Sequence, residues 1–124
     1  MSAIVAAARA CIGARFRPQG RDPEYGLDCV GLAGAAFGRH DLPKDYVLRG
    51  GDATRIAAFV EEFGLRPVDE GEPGDLLMLR TGPAQFHLAV KTAGGFVHAD
   101  ARLRRVVETP GPPPWPVIGI WREG

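Results

Sequence analysis

The sequence predicts an α+β domain in which N-terminal helices pack on a central antiparallel sheet, and three observations carry that expectation. Apolar residues recur at helical spacing as far as residue 63, and from residue 75 short apolar runs bounded by turn residues take over. Seventeen Gly and eleven Pro imply more turns than a helical bundle needs. A length of 124 residues is enough for one domain, 1–124, with a core of its own.

Composition narrows the function classes. The chain is 45% hydrophobic and 24% charged, ordinary for a globular protein, and its formal net charge of zero gives no reason to expect nucleic acid as partner. Cys11 and Cys29 alone do not make a disulfide framework. No run approaches the ~18 apolar residues of a membrane span. Met1 to Arg9 lacks a basic leader and keeps a helical period, so it does not read as a signal peptide. The expectation is a chain that is cytoplasmic when made and reaches any external target by another route.

In chain order, residues 2–12 form the first expected helix, with Ser2 as N-cap and Ile4, Val5, Ala8, Cys11 and Ile12 as its apolar stripe. Cys11 therefore reads as core. Residues 13–26 are expected as a loop rich in Gly, Pro and Arg. A helix beginning at Cys29 follows, ended by Gly38. A third helix is expected over 53–63, from Asp52 as N-cap to Gly64 as terminator. Strands are expected at 75–80, 86–92, 95–100 and 103–109, running as a meander. Pro110 to Pro116 reads as a rigid extended connection to a last strand over 117–122.

The chemistry-bearing stretch is Gly26-Leu27-Asp28-Cys29-Val30-Gly31-Leu32. Cys29, Leu32, Ala33, Ala36 and Phe37 share one helical face, and Asp28 suits the N-cap. Cys29 then sits in the first turn facing inward, where the partial positive charge of the helix start favours a thiolate. A thiolate attacks carbonyl carbon; a buried structural cysteine is the alternative. Gly31 and Gly34 weaken the helix and point to close approach of another element.

The second half supplies a base. His87 opens one expected strand and His98 lies in the next. A loop centred on Ala93-Gly94 pairs residues whose numbers sum to 187, placing His98 diagonal to His87 on one sheet face. A sum of 185 would place them directly opposite. Ala89 beside them is small enough to admit a helix. Cys29 as nucleophile, His87 as base and His98 as orienter make a nucleophile–base–orienter set, with Asp100 on the same face as a rival orienter. Zinc held by Cys29, His87 and His98 is a weaker reading, because no tight ligand pair is present. No metal and no cofactor is expected.

These segments, with Glu72 to Leu79, His87 to Val90 and Phe96 to Asp100, come in the order of the motifs of the NlpC family of cell-wall cysteine peptidases, and the chain resembles that family's compact phage-type branch. The resemblance implies a papain-like fold and hydrolysis of peptidoglycan stem-peptide amides of the D-glutamyl–diamino acid type. It carries the nucleophile to Cys29, the base to His87 and the third polar member to His98. The phage-type likeness points to a phage- or prophage-derived protein, and the missing signal peptide fits delivery in a tail or other phage-like particle, with phage tail proteins as partners, or release by lysis. Two departures bear on substrate contacts: Phe16 stands where many members have a tyrosine, and Val30 where serine is common. Asp28 is open to two readings, a helix cap or a contact to a substrate amino group. Arg15, Arg17, Arg21, Arg102, Arg104 and Arg105 either line a groove for stem-peptide carboxylates or form a solvated rim. His40 beside Asp41 reads as surface. A non-catalytic particle component, or an amidase or acyltransferase using the same three residues, are the alternative functions.

Overall fold

The computed structural model describes residues 2–39, 42 and 52–124. Within them α1 spans Ala3–Ala10, α2 Cys29–Phe37 and α3 Ala53–Glu62. A short hairpin pairs β1 (Arg21–Asp22) with β2 (Gly26–Leu27). The strands β3 (Leu65–Pro67), β4 (Leu76–Gly82), β5 (Gln85–Lys91), β6 (Gly95–Asp100), β7 (Arg105–Pro110) and β8 (Val117–Glu123) form an antiparallel sheet in the order β3-β8-β4-β5-β6-β7. His40 and Asp41 lie outside the described residues.

Each helix starts where a side-chain oxygen takes up free backbone N–H groups. Ser2 accepts from Ile4 and Val5, Asp28 from Gly31, and Asp52 from Thr54. Gly38, at φ +70°, ends α2 in the left-handed conformation. The three expected helices are therefore present, although α1 stops at Ala10 and Cys11 caps it.

The meander expectation needs one correction. β4 to β7 follow it, but β8 crosses back and inserts between β3 and β4. β4 has four successive buried residues, Leu76 to Leu79, and Trp121 and Ile120 of β8 stand opposite Leu76 and Leu77. The outer edge of β7 is already taken, because Arg15 bridges Arg105 and Val106 donates to the Ala14 carbonyl. Residues 13–26 are accordingly not a plain loop; they carry the β1–β2 hairpin and this edge contact. Elements of two or three residues, β3 among them, have no periodicity for the sequence to display.

The sheet separates two apolar clusters. Leu76, Met78, Leu88, Val90, Val97 and Ala99 pack with the helices in the main core. Leu77, Leu79, Ala89 and Phe96 form a smaller cluster, covered by Trp115 and Ile120. α2 seats close to the loop before it, since a Cβ on Gly31 would run into the Gly20 carbonyl oxygen. Gly31→Ala should therefore lower stability by about 1–3 kcal/mol through overpacking. Gly94→Ala, where an added Cβ meets nothing within 4 Å, should stay within about 0.5 kcal/mol of wild type. Urea unfolding of the two variants checks both values.

Candidate active site

Cys29 is the first residue of α2 and is 5% exposed. Its neighbour Asp28 holds the helix start in place. Asp28 Oδ1 accepts from the Gly31 N–H at 2.8 Å and from Arg21 Nη1 at 3.0 Å, and Oδ2 accepts from the Gln19 N–H at 2.9 Å. The cap reading of Asp28 is thus observed directly, and a substrate ammonium would have to compete with these donors.

The histidines come from the hairpin in the expected register. Val90 faces Val97 and Lys91 faces Phe96, both pairs summing to 187. β5 and β6 share no further ladder pairs, so His87 and His98 stand where the two strands have parted. The His87 Nε2 and His98 Nδ1 atoms are 3.0 Å apart, with the rings nearly perpendicular at 81°. The Leu88 N–H, one residue from His87, is left to the Cys29 sulfur. Among the described residues no hydrogen bond joins Cys29 to His87; such bonds commonly tighten only when substrate binds.

α2 does not pack on the histidine face. Its apolar side joins Leu88, Val90, Val97 and Ala99, whereas Ala89 lies beneath Leu77, Leu79 and Phe96. The parting of β5 from β6 leaves the Leu88 N–H to the first residue of that helix.

Electrostatics correct the expected thiolate. Burial pushes the Cys29 thiol up to about 12 and the Asp28 carboxylate adds to the rise, against the opposing N–H groups of Leu88, Cys29 and Val30. Burial, then the His98 ring, lowers His87 to about 4, with Asp100 opposing. His98 is also lowered by burial, again opposed by Asp100. Burial thus favours the uncharged thiol and the uncharged imidazoles alike. Burial alone would raise Asp100, but the N–H groups of Leu103 and Arg102 and the two imidazoles hold it low.

The remaining residues divide clearly. Val30 is 1% exposed and lines an apolar pocket with Phe37, Phe59 and Leu88, so its side chain belongs to the core and is not brought to the site. Phe16 is half-buried, bridges Leu27 and packs against the main core. Arg15 and Arg105 form a cross-strand pair without mutual hydrogen bonds, flanked by the Phe16–Arg104 and Val106–Ala14 bonds. Such pairs bring side chains close on one face, here the face of His98 and Asp100, because Asp100 stands opposite Arg105. Trp115 went unrecognised in the sequence. Its ring lies 6.2 Å from His87 and 6.1 Å from His98, walling the pair. A lone tryptophan inside the rigid 110–116 segment was the available signal. Among the described residues no three His, Cys, Asp or Glu side chains are grouped to hold a metal.

A cysteine leading a helix, set against a histidine-bearing antiparallel sheet, defines the papain-like class of α+β folds. No family model and no curated protein matches the chain. Solved structures do, two of them as follows. The NlpC/p60 domain of the peptidoglycan hydrolase SagA is 28% identical with a TM-score of 0.60, the match covering 87% of this chain and 86% of that one. The P60 domain of antigen MAP1204 from M. avium subspecies paratuberculosis is 17% identical with a TM-score of 0.64, covering 97% and 91%. The chain thus has the fold of NlpC/p60 domains and is similar in sequence to one of them.

The lowered His87 gives a stability signature. The folded chain releases this proton at about 4 against a usual 6.5, so between those values the unfolded chain binds more protons. Stability should fall as pH drops through that window, by about 1–3 kcal/mol from this group. His87→Asn should flatten the slope between pH about 6.5 and 4, read by urea unfolding at several pH values.

Proposed function

We propose that this chain is a cysteine endopeptidase that cuts peptidoglycan stem peptides at the D-glutamyl–diamino acid amide, with Cys29 as nucleophile, His87 as base and His98 as orienter. The observation that carries the reading is the 3.0 Å contact between His87 and His98, made beside the strand amide that holds the Cys29 sulfur. The 28% identity to the domain of a peptidoglycan hydrolase supports the substrate class. Carriage to the wall in a phage-like particle, with phage tail proteins as partners, is part of the same proposal and rests on the motif resemblance.

In this mechanism the neutral thiol loses its proton to His87 Nδ1 as the sulfur bonds to the scissile carbonyl carbon. The Cys29 N–H at the helix start receives the developing oxyanion. Collapse breaks the C–N bond, and His87 returns its proton to the leaving amine. Water, deprotonated by His87, then attacks the thioester carbon, releases the new carboxyl group and restores the thiol. Burial favours this concerted transfer over a standing thiolate–imidazolium pair, since both charged partners are disfavoured before attack.

The near-complete burial of Cys29 is the observation that favours a non-catalytic particle component instead. Digestion of purified peptidoglycan followed by mass spectrometry of the fragments decides between them. Wild type should release fragments ending at D-glutamate. Cys29→Ala and His87→Ala, folded by circular dichroism, should lower that release by about a hundredfold or more. Unchanged peptidoglycan with folded wild-type protein would overturn the peptidase reading.

The Arg15–Arg105 pair supplies a second expectation. Stem-peptide carboxylates meeting it would form charge-assisted hydrogen bonds. Arg105→Gln should raise KM about tenfold for a peptide with free carboxylates and leave KM for the amidated peptide nearly unchanged. Steady-state kinetics on the two peptides checks it.

A further inference from the structure

We propose that Asp100 and Thr109 are positioning residues that keep the His98 proton on Nε2, so that the Nδ1 atom of His98 accepts from His87 and the remaining lone pair of His87 is left for the Cys29 thiol. The inference rests on the peptidase reading for its consequence in catalysis, but its geometry stands independently. His98 has two ring nitrogens, and both have neighbours. Nδ1 faces His87 Nε2 at 3.0 Å. Nε2 faces Thr109 Oγ1 at 3.4 Å and Asp100 Oδ2 at 3.9 Å.

Which nitrogen of His98 carries the proton is decided at the Nε2 end. A carboxylate only accepts, so Asp100 favours an N–H turned toward it and repels a lone pair. Asp100 is itself held: its Oδ1 accepts from the Arg102 N–H at 2.8 Å and the Leu103 N–H at 3.1 Å, which aims Oδ2 at His98. Thr109 accepts the same proton through a hydroxyl that can rotate to suit. With the proton on Nε2, His98 Nδ1 presents a lone pair, and the only partner across 3.0 Å is a proton on His87 Nε2. His87 then has its lone pair on Nδ1, the form a base needs. When His87 takes the thiol proton it becomes a double donor, and its Nε2–H already has an acceptor. The direction of the whole chain from Cys29 to His98 is thus set at its far end. The sheet builds the arrangement locally: Asp100 follows His98 by two residues on one face, and Thr109 stands opposite Phe96 on the neighbouring strand.

Nitrogen-15 NMR of the histidine rings in the full chain tests this at neutral pH, without substrate. Wild type should show both His87 and His98 protonated at Nε2. Asp100→Asn retains an oxygen for the Arg102 and Leu103 N–H groups, and so retains the turn, but offers an amide N–H to His98 Nε2. In Asp100→Asn combined with Thr109→Val, the main His98 tautomer should move to Nδ1–H, the His87 proton should move to Nδ1, and kcat should fall about tenfold or more. Thr109→Val alone should shift the tautomers less. His98 remaining protonated at Nε2 in the folded double variant would overturn the assignment. A tautomer shift in a protein that never cuts peptidoglycan would support the assignment and count against the peptidase reading, so the two stand or fall separately.

Discussion

The buried Asp28 carboxylate ties together the pieces on which the site depends. It caps α2 through the Gly31 N–H, holds the preceding loop through the Gln19 N–H, and pairs with Arg21. A carboxylate 7% exposed is costly unless its oxygens are bonded, and these three donors meet that requirement only when loop, hairpin and helix are all in place. The contact of Gly31 with the Gly20 backbone closes the same junction sterically. Cys29, one residue along, has its position determined by both.

The second constraint is the separation of β5 from β6. A fully zipped hairpin would give the Leu88 N–H to the neighbouring strand and close the sheet between the helix and the histidines. Pairing that ends at Val90 and Val97 leaves a strand amide for the Cys29 sulfur and room for two imidazole rings between Phe96 and Trp115. The same enclosure acts on protonation. Removing water raises the thiol and lowers both imidazoles, so burial favours the uncharged form of all three groups.

The papain-like fold and the NlpC/p60 likeness account for why a helix start and a hairpin meet here. Further contacts lie around that core. Arg21 engages Asp28, Trp115 on a proline-rich segment walls the histidines, and two arginines face one another on the histidine side of the sheet. Each adds charge or bulk around the start of α2 or the histidines.

Local chemistry was legible in the sequence because it depends on near neighbours. The caps at Ser2, Asp28 and Asp52, the stop at Gly38 and the hairpin register pairing Val90 with Val97 each follow from a few adjacent residues. The placement of His87 and His98 on one face follows from that register. Only the tertiary structure decided the rest. The insertion of β8 beside β4 depends on a strand 40 residues away in sequence offering apolar partners and a free edge. The face on which α2 packs follows from which side of the sheet the main core occupies, and Trp115 reaches the histidines only because the 110–116 segment crosses over them. The state of Cys29 shows the division most clearly. The field of a helix start is a local property and pointed to a thiolate, whereas burial is the sum of everything packed around the sulfur, and here burial outweighs the field.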